Sequence, residues 1–459
     1  MKEQKENQNP LGTKPVEKLL LQFTIPSIVA MLVSALYNIV DQFFIGRSVG
    51  ELGNAATNIA FPLSISCVAI ALLFGIGGAS AFNLTMGKGR KEEALYYTGN
   101  AAVMMALCGL VLSGITLVFL TPLLRFFGAT ANVLGYARIY TGITAFGFPF
   151  VILATGGGHL IRADGSPKFT MICNLTGAVI NTALDALFVF GFHWGMAGAA
   201  AATIIGQMIS GLMAVYYLCH YKTARLEKKH LRINGTYVRC IMSLGAAPCS
   251  NQLAMMIVQI VMNNSLTHYG KLSNYGEDIP LACAGIISKV NQVYFSFIIG
   301  ISQGLQPIVS FNYGAKKYDR VKRAYIRAVT MGLAISLTAF LLFQLFPRNI
   351  IGLFGSGSEE YYRFAVSYFR IFLLMTCLNF MQPISSNLFT AIGKPKRGMF
   401  LALTRQIIFL LPLIVALPLV LGIDGILYAG PVADFLAVVV SAVMIGREFR
   451  NSYTTATNK

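Results

Sequence analysis

The chain has 459 residues, 55% of them hydrophobic and only 12% charged, with a mean hydropathy of +0.64. That is more apolar surface than a water-soluble core can bury, which excludes a soluble enzyme or binding domain and indicates a chain that lives in a bilayer. The net charge of +18 sits in short clusters between apolar stretches, the pattern of membrane-protein loops rather than of a nucleic-acid-binding domain.

Residues 1–15 read as a polar cytoplasmic tail without the short apolar run and small-residue cleavage site of a signal peptide, so the first span is expected to be retained. Twelve stretches long and apolar enough to cross a bilayer follow, at 16–44, 52–84, 94–121, 133–158, 167–191, 196–219, 236–265, 279–311, 321–347, 360–390, 397–420 and 425–447. In lipid every backbone N–H and C=O must find its partner within the protein, so these runs are expected to be helices. The fold class that follows is an all-α integral membrane protein of twelve transmembrane helices in two pseudo-symmetric six-helix lobes. Pro26, Pro62, Pro149, Pro248, Pro307 and Pro383 each remove a helical hydrogen bond and invite a kink.

The expected domains are a tail at 1–15, an N-lobe at 16–219, a basic cytoplasmic linker at 220–235, a C-lobe at 236–447 and a C-terminal tail at 448–459. With the N-terminus placed in the cytoplasm, 28 of the 36 Lys and Arg fall on the cytoplasmic side, 7 fall on the other, and Lys289 lies within a span. This asymmetry puts both termini in the cytoplasm. The halves are copies of one unit. Gly75–Gly87 (GIGGASAFNLTMG) aligns without a gap on Ser302–Gly314 (SQGLQPIVSFNYG), a shift of 227 residues, and Ala163–Lys168 aligns on Ala391–Lys396 at a shift of 228. Each unit has an even number of spans, so the repeats are parallel, related by an axis along the membrane normal. Two such lobes can rock about a cavity between them, but function has to be argued from the site.

Of 18 acidic residues, Asp41, Asp185 and Asp434 lie deep in spans. A charged carboxylate at the bilayer centre costs at least about 2.5 kcal/mol, so each is a functional hypothesis. Asp41 ends the first span in Tyr37-Asn38-Ile39-Val40-Asp41-Gln42. Asp185 lies four residues after Asn181, on the same helix face, and Thr203 on the sixth span could face both. Two carboxylates with Asn and Thr oxygens suit Na⁺ or a shared proton; capping or packing of neighbouring helices is the structural alternative. Asp434 could line a C-lobe cavity or pair with Arg405 or Lys289. Substrate-cavity candidates are Tyr37, Asn38, Gln259, Asn263, Asn379, Gln382 and Asp434, with Gln252, Asn264 and Asn387 nearby and Phe61 and Phe295 as cation–π surfaces. Hydrogen bonds between packed helices would account for the amides equally well.

The eight cysteines have no metal-ligand spacing, and HExxH, P-loop and GxSxG motifs are missing. An enzyme and an ATP-driven pump are therefore not expected on this chain. Gly156-Gly157-Gly158 reads as a close helix-packing patch.

Three segments carry a family resemblance: Val40-Asp41-Gln42-Phe43-Phe44-Ile45-Gly46 at the end of the first span, Ile161–Lys168 after the fourth, and Gln306–Ala315 at the cytoplasmic end of the eighth. Together, over about residues 12–447, the chain resembles the multidrug and toxic compound extrusion (MATE) transporters, in the bacterial MepA-like and DinF-like branch. The resemblance implies a V-shaped pair of lobes that exports cationic, often aromatic drugs or toxins in exchange for H⁺ or Na⁺. It implies a multi-pass protein of the bacterial plasma membrane, a monomer whose partners are small cationic molecules and the lipid bilayer. Nucleic acid, an obligate protein partner and a cofactor other than the coupling ion are not implied. Asp41, Asn181, Asp185 and Thr203 match the family's N-lobe cation cluster. Relatives often carry an asparagine late in the fourth helix, where this chain has Gly156-Gly157-Gly158-His159; the C-lobe lacks the carboxylates another branch carries on its seventh and tenth helices. The competing expectations are a lipid-linked oligosaccharide flippase or polysaccharide exporter, which calls for a cationic cavity, and a non-transporting receptor or scaffold.

Overall fold

A computed structural model of the protein describes residues 9–276, 278–353 and 359–457; Lys2, Lys5 and Lys459 of the charge argument lie outside the described residues. Among these residues the chain is helical with no strand. The first half runs through a single turn α1 (Pro10–Thr13), then α2 (Val16–Ser48), α3 (Glu51–Gly87), α4 (Lys91–Val118), α5 (Leu120–Phe126), α6 (Ala131–Ala145), α7 (Phe148–Ala163), α8 (Pro167–Asp185), a π-helical turn at Ala186–Gly191 and α9 (Gly195–Cys219). The second half follows with α10 (Gly235–Lys271), α11 (Asp278–Gly314), α12 (Tyr318–Leu345), α13 (Pro347–Gly352), α14 (Glu359–Phe372), α15 (Met381–Ala391), α16 (Pro395–Leu403), a π-helical stretch at Thr404–Leu410, α17 (Leu411–Ala416), α18 (Pro418–Leu421) and α19 (Ile423–Thr457).

All twelve apolar stretches are present, but ten form helices long and apolar enough to cross a membrane unaided. The other two, expected as continuous helices, are broken, and they are the fourth of each half. Between α6 and α7 the chain bends by 56°. The last turn before the bend tightens to i→i+3 bonds, Gly147 N–H to Thr144 O at 2.8 Å, and Pro149 near the start of α7 brings no N–H of its own. The tenth stretch breaks over residues 373–380, where successive tight bonds such as Leu378 N–H to Met375 O (2.9 Å) replace the α-helical ladder. Pro26, Pro62, Pro248 and Pro307, by contrast, stay inside unbroken helices.

The terminal and linking segments are more ordered than polar loops need be. Residues 9–15, expected as tail, pack against the protein with Leu11 3% exposed. At the other terminus α19 continues past 447 to Thr457, and buried Glu448 is held by Lys394 and Arg397. The linker is pinned to the first half: Asn100 Nδ2 donates to Arg232 O (3.2 Å) and Asn100 Oδ1 accepts from Asn234 N–H (2.8 Å). His230 Nδ1 accepts from Glu227 N–H at 3.0 Å, so Nε2 carries the proton that reaches Glu92, 3.1 Å away. Asp164 accepts from the backbone N–H of Lys222 (2.5 Å) and Thr223 (2.9 Å) and from Tyr217 Oη (2.9 Å).

Glycines set how the halves meet. A Cβ on Gly87 would fall 2.1 Å from Phe311 O, and one on Gly314 would fall 2.2 Å from Leu84 O. Gly87 and Gly314, and Leu84 and Phe311, are equivalent positions of the repeat, so this is one contact made twice, across the pseudo-axis. Gly77 and Gly304, also equivalent, each lie against the opposite half's first helix, at Ile241 of α10 and Thr24 of α2. Gln306 adds side-chain bonds to Ile76 O (3.2 Å) and Ser80 Oγ (2.9 Å). These approaches cluster at the end that carries the basic loops. Toward the other end Asn38, Gln42 and Gln259 are exposed on α2 and α10.

Like its repeat equivalent α10, whose Ile241 is buried in the first half's core, α2 belongs to both halves. The first turns of α2 bury Val16, Leu19, Leu20 and Phe23 in the core formed with α11, α12 and α15, whereas Ile45 near its end joins the first half's outer cluster with Leu124, Val133 and Val189.

Candidate cation and substrate sites

The second portion of α2 brings Asp41 against α8 and α9. Asp41, Asn181, Asp185 and Thr203 are all buried, at 8%, 3%, 0% and 6% exposure. Asn181 Nδ2 donates to Thr203 Oγ1 at 3.3 Å, and Thr203 Oγ1 donates to Asp41 Oδ1 at a long 3.5 Å. Both Asp185 oxygens and Asn181 Oδ1 are buried without a hydrogen-bond partner, while the Asp185 carboxyl interacts directly with that of Asp41. The four residues matched by the family resemblance therefore do meet, and what they form is rich in acceptor oxygens and poor in donors. Buried acceptors of this kind are costly unless a proton or a cation comes to them. The π-helical turn begins immediately after Asp185; such wide turns re-aim side chains and recur at functional sites.

Two residues of this neighbourhood were not singled out from sequence. Tyr140 on α6 reaches Thr203 and stands near both carboxylates, and Gln207 on α9 reaches Tyr37. Gln207 lies four residues after Thr203 on one helix face, which was readable; Tyr140 was one tyrosine among 20. The missing fourth-helix asparagine leaves no gap here. Gly156 faces α3 and α4, where a Cβ would meet Met105 Sδ at 2.2 Å, and the position has no room for a side chain.

The substrate-cavity candidates separate into two groups. Asn38 and Gln259 are exposed and Asn263 is half-buried, with Asn38 bonded to Ser34 O (2.8 Å) and Gln259 Nε2 to Asn263 Oδ1 (2.9 Å). Tyr37, beside the cation cluster, is partly exposed. Asn379, Gln382 and Asp434 instead form a buried network in the second half. Asn379 Nδ2 donates to Asp434 Oδ2 at 2.8 Å, Arg405 pairs with Asp434 Oδ1, and Gln382 Nε2 donates to Leu401 O at 2.7 Å. Arg405, counted with the basic flank of a loop, thus lies within the eleventh span as the partner of Asp434. It, and not Lys289, neutralises that acid. The network ties the broken tenth stretch to the eleventh and twelfth.

Two six-span halves, closed at one end over a glycine seam and holding a donor-poor carboxylate pair buried within the spans, define a membrane transporter. Comparison with known proteins gives the family: its MatE model matches residues 26–187 and 249–415, and the chain belongs to the MatE family of transporters. The multidrug export protein MepA of Staphylococcus haemolyticus (strain JCSC1435) is 24% identical over 438 residues, 95% of this chain and 94% of that protein. Among solved structures, a ligand complex of the MATE multidrug transporter DinF-BH superposes with a TM-score of 0.88 at 33% identity, covering 96% of this chain and 98% of that one. An outward-facing multidrug resistance MATE transporter of the MOP superfamily gives 0.90 at 20% identity, with the same coverage. Twelve transmembrane helices in two lobes are the fold of these structures and of this chain.

Proposed function

We propose that this chain exports cationic, aromatic amphiphiles of several kinds from the cytoplasm, in exchange for H⁺ or Na⁺ taken up at Asp41 and Asp185. The observation that carries the reading is the buried carboxylate pair whose oxygens receive too few donors from the protein. With neither proton nor cation between them, two anions repel across a low-dielectric space. Arrival of one positive charge removes the repulsion and draws α2, α8 and α9 together. A coupling ion biases a transport cycle only if it binds one conformation better than the other, and α2 spans both halves, so tightening around Asp41 is felt at the seam. Residues 16–219 and 236–447 act as the two lobes, joined by 220–235, with both termini and the basic loops in the cytoplasm; the glycine seam then closes the cytoplasmic end.

The cargo class rests on the uncharged amides Asn38, Gln259 and Asn263 of α2 and α10 and on the names of relatives, a multidrug export protein and a multidrug transporter solved with a ligand. A lipid-linked oligosaccharide exporter would want free positive charge in the cavity. Of the two basic residues deep in spans, Lys289 and Arg405, the guanidinium of Arg405 is committed to Asp434, so the observations favour a cationic cargo.

Ethidium extrusion from vesicles holding the purified protein, with pH and Na⁺ gradients imposed separately, tests both parts. One of the two gradients should drive extrusion. Asp41→Asn and Asp185→Asn should each lower gradient-driven extrusion at least about tenfold, the loss expected when a neutral amide replaces the charge the ion must pair with. Extrusion at the parental rate by correctly inserted variants would sink the coupling mechanism.

A further inference from the structure

Residues 9–14 make contacts that a loose tail has no reason to make. Asn9 caps the single turn α1, its side chain accepting from Leu11 N–H at 3.0 Å. The turn then presents its backbone carbonyls to one side. Asn312 Nδ2 donates to Leu11 O at 2.9 Å, Lys317 Nζ to Gly12 O at 2.9 Å, and Arg320 Nη2 to Leu11 O at 3.2 Å and Lys14 O at 2.6 Å. Arg320 Nε also donates to Asn312 Oδ1 at 2.9 Å, which orients the amide for its bond to Leu11. Leu11 is buried in the second half's core, and Gly12 lies so close to Phe311 that a Cβ there would stand 2.8 Å from the ring. Glu17 and Arg327 extend the attachment into the first turn of α2.

Every one of these partners belongs to α11, α12 or the turn between them, in the second half. Yet the helix that follows, α2, ends in the first half, where Asp41 meets α8 and α9. Phe311, which covers Gly12, is also the residue whose carbonyl abuts Gly87 of α3 across the seam. The segment therefore fastens the basic-loop end of a first-half helix to the second half, at the place where the two halves touch. The seam beside it is not well satisfied: Asn83 Oδ1, Ser310 Oγ and Thr24 Oγ1 are buried there without hydrogen-bond partners. Such groups gain water when the seam opens, so something else has to hold it shut.

We propose that residues 9–14 are a latch that holds the basic-loop end of the molecule closed, and that opening of this end requires Asn312, Lys317 and Arg320 to release the Leu11, Gly12 and Lys14 carbonyls. The latch makes residues 9–14 part of the gate. It rests on the alternating-access reading above only in that this end opens at all, and its test uses neither drug nor ion gradient, so either can fail without the other.

The test reads seam exposure directly. Ser310 is fully buried and lies four residues after Gln306 on the α11 face that meets α3. With the eight native cysteines replaced, Ser310→Cys is labelled by a maleimide reagent in detergent, and the rate is compared among the parent, Arg320→Ala, Arg320→Lys and a chain lacking residues 1–14. Hydrogen exchange over residues 11–20 reports separately whether the segment has come free. Arg320→Ala and the truncation are expected to raise the labelling rate roughly tenfold, the shift from losing one or two charge-assisted hydrogen bonds, with Arg320→Lys between them and the parent. If residues 11–20 exchange freely in Arg320→Ala, or are partly removed in the truncated chain, and the Ser310→Cys thiol is still labelled at the parental rate, the latch is overturned.

Discussion

At the scale of single residues, the two halves handle buried charge in opposite ways. In the first half Asp41 and Asp185 are left short of donors; in the second, Asp434 is 2% exposed and fully engaged by Arg405 and Asn379. On the proposed coupling the first arrangement would receive its cation from solution, whereas the second carries its own. Removing one member of the Arg405–Asp434 pair leaves a buried unpaired charge, which typically costs about 3–5 kcal/mol. Arg405→Met is therefore expected to lower the thermal unfolding temperature in detergent sharply, and Arg405→Met with Asp434→Leu to recover most of the loss, because apolar side chains replace a buried ion pair at little cost. A double variant as unstable as the single one would show that the pair does more than neutralise itself. The acids were legible in the sequence because an ionised group in an apolar run stands out. Arg405 was legible only as one of two candidate partners of Asp434, and the packing of the π-helical stretch at Thr404–Leu410 against α19 decides for it over Lys289. Tyr140 was hidden for the opposite reason, since aromatic residues in a membrane helix carry no cost that would mark them.

At the scale of elements, the glycines of the seam matter more than the prolines that the sequence put forward. Four prolines sit inside unbroken helices, whereas Gly87 and Gly314 admit backbone to within contact of backbone, and no side chain can be tolerated there without movement. Gly87→Ala places its Cβ 2.1 Å from Phe311 O, and neither backbone can give way cheaply. The halves should part locally, at a cost of about 1–3 kcal/mol typical of overpacking, with faster labelling of a Ser310→Cys reporter. The repeat-equivalent Gly314→Ala should behave alike, since it makes the same contact from the other side; Gly89→Ala, whose Cβ meets nothing within 4 Å, is the comparison that separates crowding from loss of glycine as such, although its φ of +79° adds backbone strain. The repeat itself was readable, because an ungapped match across the ends of the second and eighth helices survives divergence. The breaks in the fourth and tenth stretches were not, because hydropathy reports only that a segment is apolar. A tight turn buried among helices satisfies lipid as well as a straight helix does.

At the scale of the whole molecule, closure of the basic-loop end follows from where the polar and glycine contacts lie along the helices. Gln306 binds Ile76 O and Ser80 Oγ across the seam, and these bonds have to break if the basic-loop end is to open. A transporter that alternates cannot keep them through a cycle, whereas a rigid pore or a protein with another mechanism can. Ser80→Cys with Gln306→Cys, in a chain without its native cysteines and bridged by a short thiol-reactive crosslinker with a cleavable disulfide, fixes this end in the closed form. Ethidium extrusion should stop on crosslinking and return on reduction, while each single variant treated in the same way keeps its activity. Continued extrusion by the crosslinked protein would mean that cargo passes without separation of α3 from α11. Cargo would then have to cross by a route that leaves the glycine seam intact, and the two-lobe rocking derived from the repeat would not be the transport motion.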